Sequence, residues 1–154
     1  MKNVVGKPLD VLMPFAGEWS VEARHVMMPN AVIRARSVFE WWWDRTFLVQ
    51  RMTYDHPDFP DAIAVIGATR PDGGLAYNYF DTRGVQRLYD MTFERGVWTL
   101  NRTAVSASDF DQTLHATFSA DGNTIIGESQ ASSPGAHELA RDLSIAYTRV
   151  AKNR

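Results

Sequence analysis

The sequence predicts an all-β chain: one up-and-down antiparallel β-barrel of about ten strands, preceded by a short N-terminal helix. Two observations carry this. From Phe15 to Val150 the chain divides into short alternating runs rich in β-branched and aromatic residues, with no helical periodicity. Turn chemistry separates the runs, at Pro71-Asp72-Gly73-Gly74, Asp81-Thr82-Arg83-Gly84, Glu94-Arg95-Gly96, Asp121-Gly122-Asn123 and Ser133-Pro134-Gly135. The length of 154 residues, 45% hydrophobic and 22% charged, suits a single packed domain spanning 1–154.

The segment Pro-Leu-Asp-Val-Leu-Met-Pro, from Pro8 to Pro14, reads as one or two helical turns bounded by its prolines. Strands are then expected at 15–28, 31–43, 46–54, 62–69, 75–81, 85–93, 97–103, 109–119, 124–131 and 137–150. Short junctions permit only antiparallel neighbours, because a parallel crossover needs about a dozen residues. A meander this long removes its open edges most simply by closing on itself. The longest connection, 55–61, is a candidate flap over one mouth of the barrel.

Composition narrows the function. Sixteen Lys and Arg against eighteen Asp and Glu give a net charge of -2, and the basic residues form no stripe, so nucleic acid is not an expected partner. The chain has no cysteine, hence no disulfide, thiolate nucleophile or cysteine-ligated zinc. Its four histidines lack metal-ligand spacing, and no P-loop, nucleophile elbow or dinucleotide fingerprint is present. No cofactor is expected. Before Pro14 the only apolar patch is Val11-Leu12-Met13, and no run nears the roughly 20 apolar residues of a spanning helix. The expectation is a cytoplasmic protein without membrane insertion.

Alternation assigns the inward side chains. In the first strand Phe15, Gly17, Trp19, Val21 and Ala23 share a phase that brings His25 inward, while Glu18, Ser20, Glu22 and Arg24 face out. The sixth strand turns Val85, Arg87, Tyr89, Met91 and Phe93 inward, and the eighth Phe110, Gln112, Leu114, Ala116 and Phe118. In the last, Leu139, Leu143, Ile145 and Tyr147 carry His137 and Arg141 onto the apolar side. The second strand has large aromatics on both faces at Trp41-Trp42-Trp43; its more apolar phase is Ile33, Ala35, Phe39 and Trp41, leaving Arg34, Arg36 and Glu40 outside unless a bulge intervenes. An exposed tryptophan there marks a candidate homodimer contact.

Gly17-Glu18-Trp19 is the Gly-x-Trp that follows a short helix in calycin barrels, among them lipocalins, fatty-acid-binding proteins and nitrobindins. Further matches are Phe39-Glu40-Trp41, Phe47-Leu48-Val49-Gln50-Arg51, Tyr79 to Val85 with Arg87 and Tyr89, Phe118 with Asp121-Gly122, and Tyr147-Thr148-Arg149. Across nearly the whole chain this pattern resembles the bacterial lipocalin-like proteins grouped as DUF1579. The resemblance implies a ten-stranded calycin barrel without implying an activity. Nitrobindins hold haem through a histidine, but the glycines that extend their Gly-x-Trp are replaced here by Ser20 to Ala23.

The function expected is binding of a small hydrophobic or aromatic molecule, bearing a carbonyl or carboxylate, inside the barrel. Interior arginines such as Arg87, Arg102 and Arg141 need a carboxylate, a tyrosine hydroxyl, water or a bound anion. Tyr77, Tyr79, Tyr89 and Tyr147 offer apolar walls with a polar tip. These four tyrosines, with Arg87, Arg141, His25, Gln112 and a Glu40–Arg51 pair, form the candidate ligand-binding set. Two alternatives are a cofactor-independent cyclase or isomerase using an acid or base beside an oxyanion donor, and nitrobindin-like haem binding.

Overall fold

The computed structural model describes residues 8–69 and 74–151. A 3-10 helix, Pro8–Phe15, leads into ten strands: β1 Gly17–His25, β2 Ile33–Trp42, β3 Phe47–Tyr54, β4 Ala62–Ala68, β5 Leu75–Asp81, β6 Gln86–Glu94, β7 Val97–Arg102, β8 Gln112–Phe118, β9 Thr124–Ala131 and β10 Ala140–Arg149. Each strand pairs antiparallel with its sequence neighbours, and β10 returns to pair with β1 along Trp19–His25, closing the barrel. Arg95 and Gly96 both take positive φ (52° and 77°), the backbone that joins β6 to β7 without splaying them. The turn expected at 71–74 and the segment before Pro8 fall largely outside the described residues.

The two ends of the barrel differ. At one end the 3-10 helix folds inward as a plug: Leu9, Leu12 and Phe15 are fully buried. Phe15 sits among Phe39, Phe93, Trp98 and Phe118 with ring centroids 4.8–5.2 Å away, mostly edge-on as aromatic quadrupoles prefer. Trp19 donates its indole N–H to the Phe15 carbonyl at 2.9 Å. Arg149 finishes the plug. Its guanidinium lies 4.2 Å from the Trp19 ring centroid and donates to the carbonyls of Ala16 (2.8 Å), Pro14 (2.6 Å) and Gly122 (3.1 Å). These interactions satisfy acceptors at the end of the helix and beyond it.

The opposite end is framed by the loops 26–32, 55–61, 82–85, 103–111 and 132–139. The longest connection is 103–111 rather than 55–61, because β7 ends one residue earlier and β8 begins three residues later than the alternation indicated: Asp109 and Asp111 bind the backbone of Val105 and Ala104 and hold the segment as a loop. The last strand is also shorter than expected. It begins at Ala140, so His137 and Leu139 lie in an exposed loop.

Facing follows the alternation in β1, β6 and β8, and in β2 Phe39 is buried while Glu40 points outward. In β10 it does not. A bulge between Arg141 and Leu143 leaves Asp142 without a ladder partner on β9 and turns Arg141 to the outer face, where it pairs with Glu128 at 3.0 Å. Of the three consecutive tryptophans, Trp41 packs against the core, while Trp42 and Trp43 are exposed on the β2–β3 turn.

Candidate functional site

Two connected spaces occupy the barrel above the plug. The inner cavity has a volume of about 150 Å³ and includes Val21, Ala23, Trp98, Leu100 and Ser129 in its walls, together with all four expected tyrosines and Tyr54. A vestibule of about 470 Å³ opens at the loop end, lined among others by His25, Phe59, Arg87, Phe110 and Asp142. Tyr54, Tyr79, Gln112 and Leu143 line both spaces, so they form the waist between them.

The tyrosines are fixed by hydrogen bonds. Gln50, 1% exposed on the inward phase of β3, is the hub: its amide oxygen accepts from Tyr77 (2.6 Å), and its nitrogen donates to Ser37 (3.0 Å) and Tyr147 (3.1 Å). One side chain thereby links β2, β3, β5 and β10 through a fully bonded amide. Tyr147 donates its O–H to the Met52 sulfur at 3.8 Å. Tyr79 donates to Asp81 at 2.9 Å and Tyr89 to the Gln112 oxygen at 2.5 Å. Burial pushes the Tyr54 hydroxyl up to about 12 and raises Tyr77, Tyr79, Tyr89 and Tyr147 above the ordinary value. All five present neutral hydroxyls, not phenolates, to a ligand.

At the vestibule two arginines share one aromatic ring. Arg87 lies 5.0 Å and Arg102 5.6 Å from the Phe110 ring centroid. Arg102 is neutralised: it pairs with Asp109 and donates to the Phe110 carbonyl at 2.8 Å. Arg87 is not. Among the described residues no carboxylate lies within ion-pairing distance of it; its guanidinium faces the Phe110 ring and the Tyr89 hydroxyl. Gln112, whose oxygen is taken by Tyr89, has no partner for its amide nitrogen among the described residues.

His25 holds the facing rim. Its Nδ1 accepts the Met27 backbone N–H at 3.1 Å and its Nε2 donates to Asp142 at 3.0 Å, so neither ring nitrogen is left to take a proton from a ligand. A histidine-ligated haem does not fit these residues. His56 Nδ1 accepts the Asp58 N–H in loop 55–61, His115 is exposed on the outer face, and His137 binds Asp111 at 2.8 Å.

Of the ten residues singled out from the sequence, seven line these spaces: His25, Tyr77, Tyr79, Arg87, Tyr89, Gln112 and Tyr147. Three do not. Glu40 and Arg51 form a 3.0 Å pair on the exposed outer face of β2 and β3, and Arg141 is outside because of the β10 bulge. Gln50, Ser129, Phe110 and Phe59 were not singled out. Gln50 had a readable signal, a polar residue between Leu48 and Met52 on an apolar phase, whereas Phe59 arrives through loop geometry.

Asp109 makes the 103–111 loop acid-sensitive. The Val105 backbone N–H, followed by Arg102, holds its carboxyl down at about 2 against an ordinary 3.8. A lowered folded value contributes stability that is present above about pH 4 and is lost as pH falls through 4 towards 2. Asp109→Asn is expected to cost about 1–2 kcal/mol at pH 7, with the gap to wild type closing as pH falls below 4. Urea melts between pH 7 and pH 2.5 check this; a gap that stays constant over that range counts against it.

No family model matches the sequence, and no curated protein matches it. Among solved structures it is similar to one described as the crystal structure of Rv2717c from M. tuberculosis, at a TM-score of 0.62 and 16% identity over 96% of this chain and 100% of that one. The likeness is one of fold. It shows the same kind of barrel and leaves the contents of the interior to be argued from this chain's own residues.

Proposed function

We propose that the protein binds a small, largely apolar carboxylic acid inside the barrel, and that it belongs with the lipocalin-like barrels its motifs resemble. The observation that carries this is Arg87, a half-buried cation without a carboxylate, held over Phe110 at the mouth of an aromatic-lined cavity. A partly desolvated guanidinium is stabilised by an anion, and its planar fork matches a carboxylate in two-point contact. The Gln112 amide nitrogen offers a further donor at the waist, and the tyrosine walls take the apolar body.

Catalysis fits less well. The inner tyrosines are held neutral, and His25, the histidine that lines the vestibule, has both nitrogens engaged. Calorimetric titration with hydrocinnamate and its neutral amide tests the binding reading. The acid is expected to bind about ten-fold tighter than the amide to wild type, and Arg87→Met to remove that preference while leaving amide binding intact. Absence of heat with both probes overturns the reading.

A further inference from the structure

The lining of the barrel changes character within a single inward step of the strands. On β1 His25 lines the vestibule and Ala23 only the inner cavity; on β6 Arg87 lines the vestibule and Tyr89 only the inner cavity. Gln112 on β8 and Leu143 on β10 stand at the waist, and the next inward residues of those strands, Leu114 and Ile145, line the inner cavity alone. The register aligns these steps across neighbouring strands. His25 is opposite Leu143 and Ala23 opposite Ile145, while Arg87 is opposite Tyr79 and Tyr89 opposite Tyr77. Two residues of strand rise about 7 Å, so the layer that holds the unpaired cation lies that far along the wall from a layer that is mostly aliphatic and aromatic.

The inner layer also encloses little space. Its volume is about 150 Å³, and an apolar cavity of roughly that size is filled by one benzene-sized molecule. Below it the plug closes the floor with Leu9, Leu12 and Phe15 fully buried. Tyr77 and Tyr89 meet edge-on in its wall, centroids 5.7 Å apart and planes at 78°, an arrangement that a further ring can extend. Their hydroxyls are given to Gln50 and Gln112.

We infer that the ligand is an arylalkanoic acid with a single six-membered ring, set back from its carboxylate by a linker of two or three carbons, and that the inner cavity is the seat of the ring. This rests on the binding reading above and narrows it to a substrate class. The carboxylate meets Arg87 in the vestibule, the linker crosses the waist and the ring fills the inner cavity. A benzoate cannot reach both layers, because its ring is joined directly to its carboxyl group. A bicyclic acid or a long-chain fatty acid spans the distance and finds no room at the end of it.

The test compares three acids by calorimetry: benzoate, hydrocinnamate and 3-(2-naphthyl)propanoate. On the wild-type protein hydrocinnamate is expected to bind about ten-fold or more tighter than either of the others. Leu114→Ala, which removes part of the inner wall at a half-buried position, is expected to narrow the gap between the naphthyl acid and hydrocinnamate several-fold. Leu100→Ala, on the paired strand opposite Leu114, is expected to do the same and serves where the first variant does not fold. A naphthyl acid that binds wild type as tightly as hydrocinnamate, or a gap unchanged in a folded variant, overturns the one-ring seat. Benzoate binding as tightly as hydrocinnamate overturns the two-layer placement. In each case the barrel's affinity for acids stands; if none of the three binds, the binding reading itself falls.

Discussion

Gly127→Ala is expected to cost about 4 kcal/mol or more, the range reserved for substitutions that force a packed backbone apart. Gly127 lies on β9 directly opposite Ala116 of β8. A Cβ built there would stand 2.2 Å from the His115 carbonyl oxygen and 2.5 Å from the Ala116 Cα. Both are backbone atoms of the paired strand, so no side-chain rotation can relieve the contact. The strands must separate or change register, and a one-residue slip would exchange the inner and outer faces of β9, bringing Ile126 and Glu128 inward. Urea denaturation measures the loss; a variant within 1 kcal/mol of wild type would show that β8 and β9 pair more loosely than this spacing describes.

Arg149→Met is expected to destabilise by about 2–4 kcal/mol, because one side chain closes the plug with three charge-assisted hydrogen bonds and a stacked indole. Methionine keeps the apolar stem and removes the donors, so the carbonyls of Pro14, Ala16 and Gly122 lose their shared partner. Partial burial already draws the Arg149 guanidinium below its ordinary pKa, the mark of a charge held away from water. Arg149→Lys should recover only part of the loss, since one ammonium cannot reproduce the planar spread of the guanidinium. Thermal melts of the three proteins check the order. Equal melting of Met and Lys variants would assign the effect to packing alone.

Much of this was legible in the sequence, and the residues show why. Strict alternation placed Trp19, Val21 and Ala23 in the core and Arg87, Tyr89 and Met91 on one inward face, because a barrel strand has one wet and one dry side. The same rule misplaced Arg141. No glycine or proline flags the bulge at Arg141-Asp142-Leu143, which depends on how β9 and β10 meet. Glu40 and Arg51 carried a pairing signal that proved real and lay on the wrong side of the wall for a ligand. The division into vestibule and inner cavity was beyond any single strand, since it follows from side chains on many strands meeting at the waist and from where the plug stops.

The plug has one more consequence. With Phe15 and Trp19 sealing the floor, the barrel is a blind pore: whatever enters past Phe59 and Phe110 must leave by the same route. Arrival and departure therefore exclude one another, and an incoming molecule cannot push the resident one out ahead of it. For the ligand proposed above, residence time would therefore be governed by the loops around the rim, as at a store with a single door rather than a conduit.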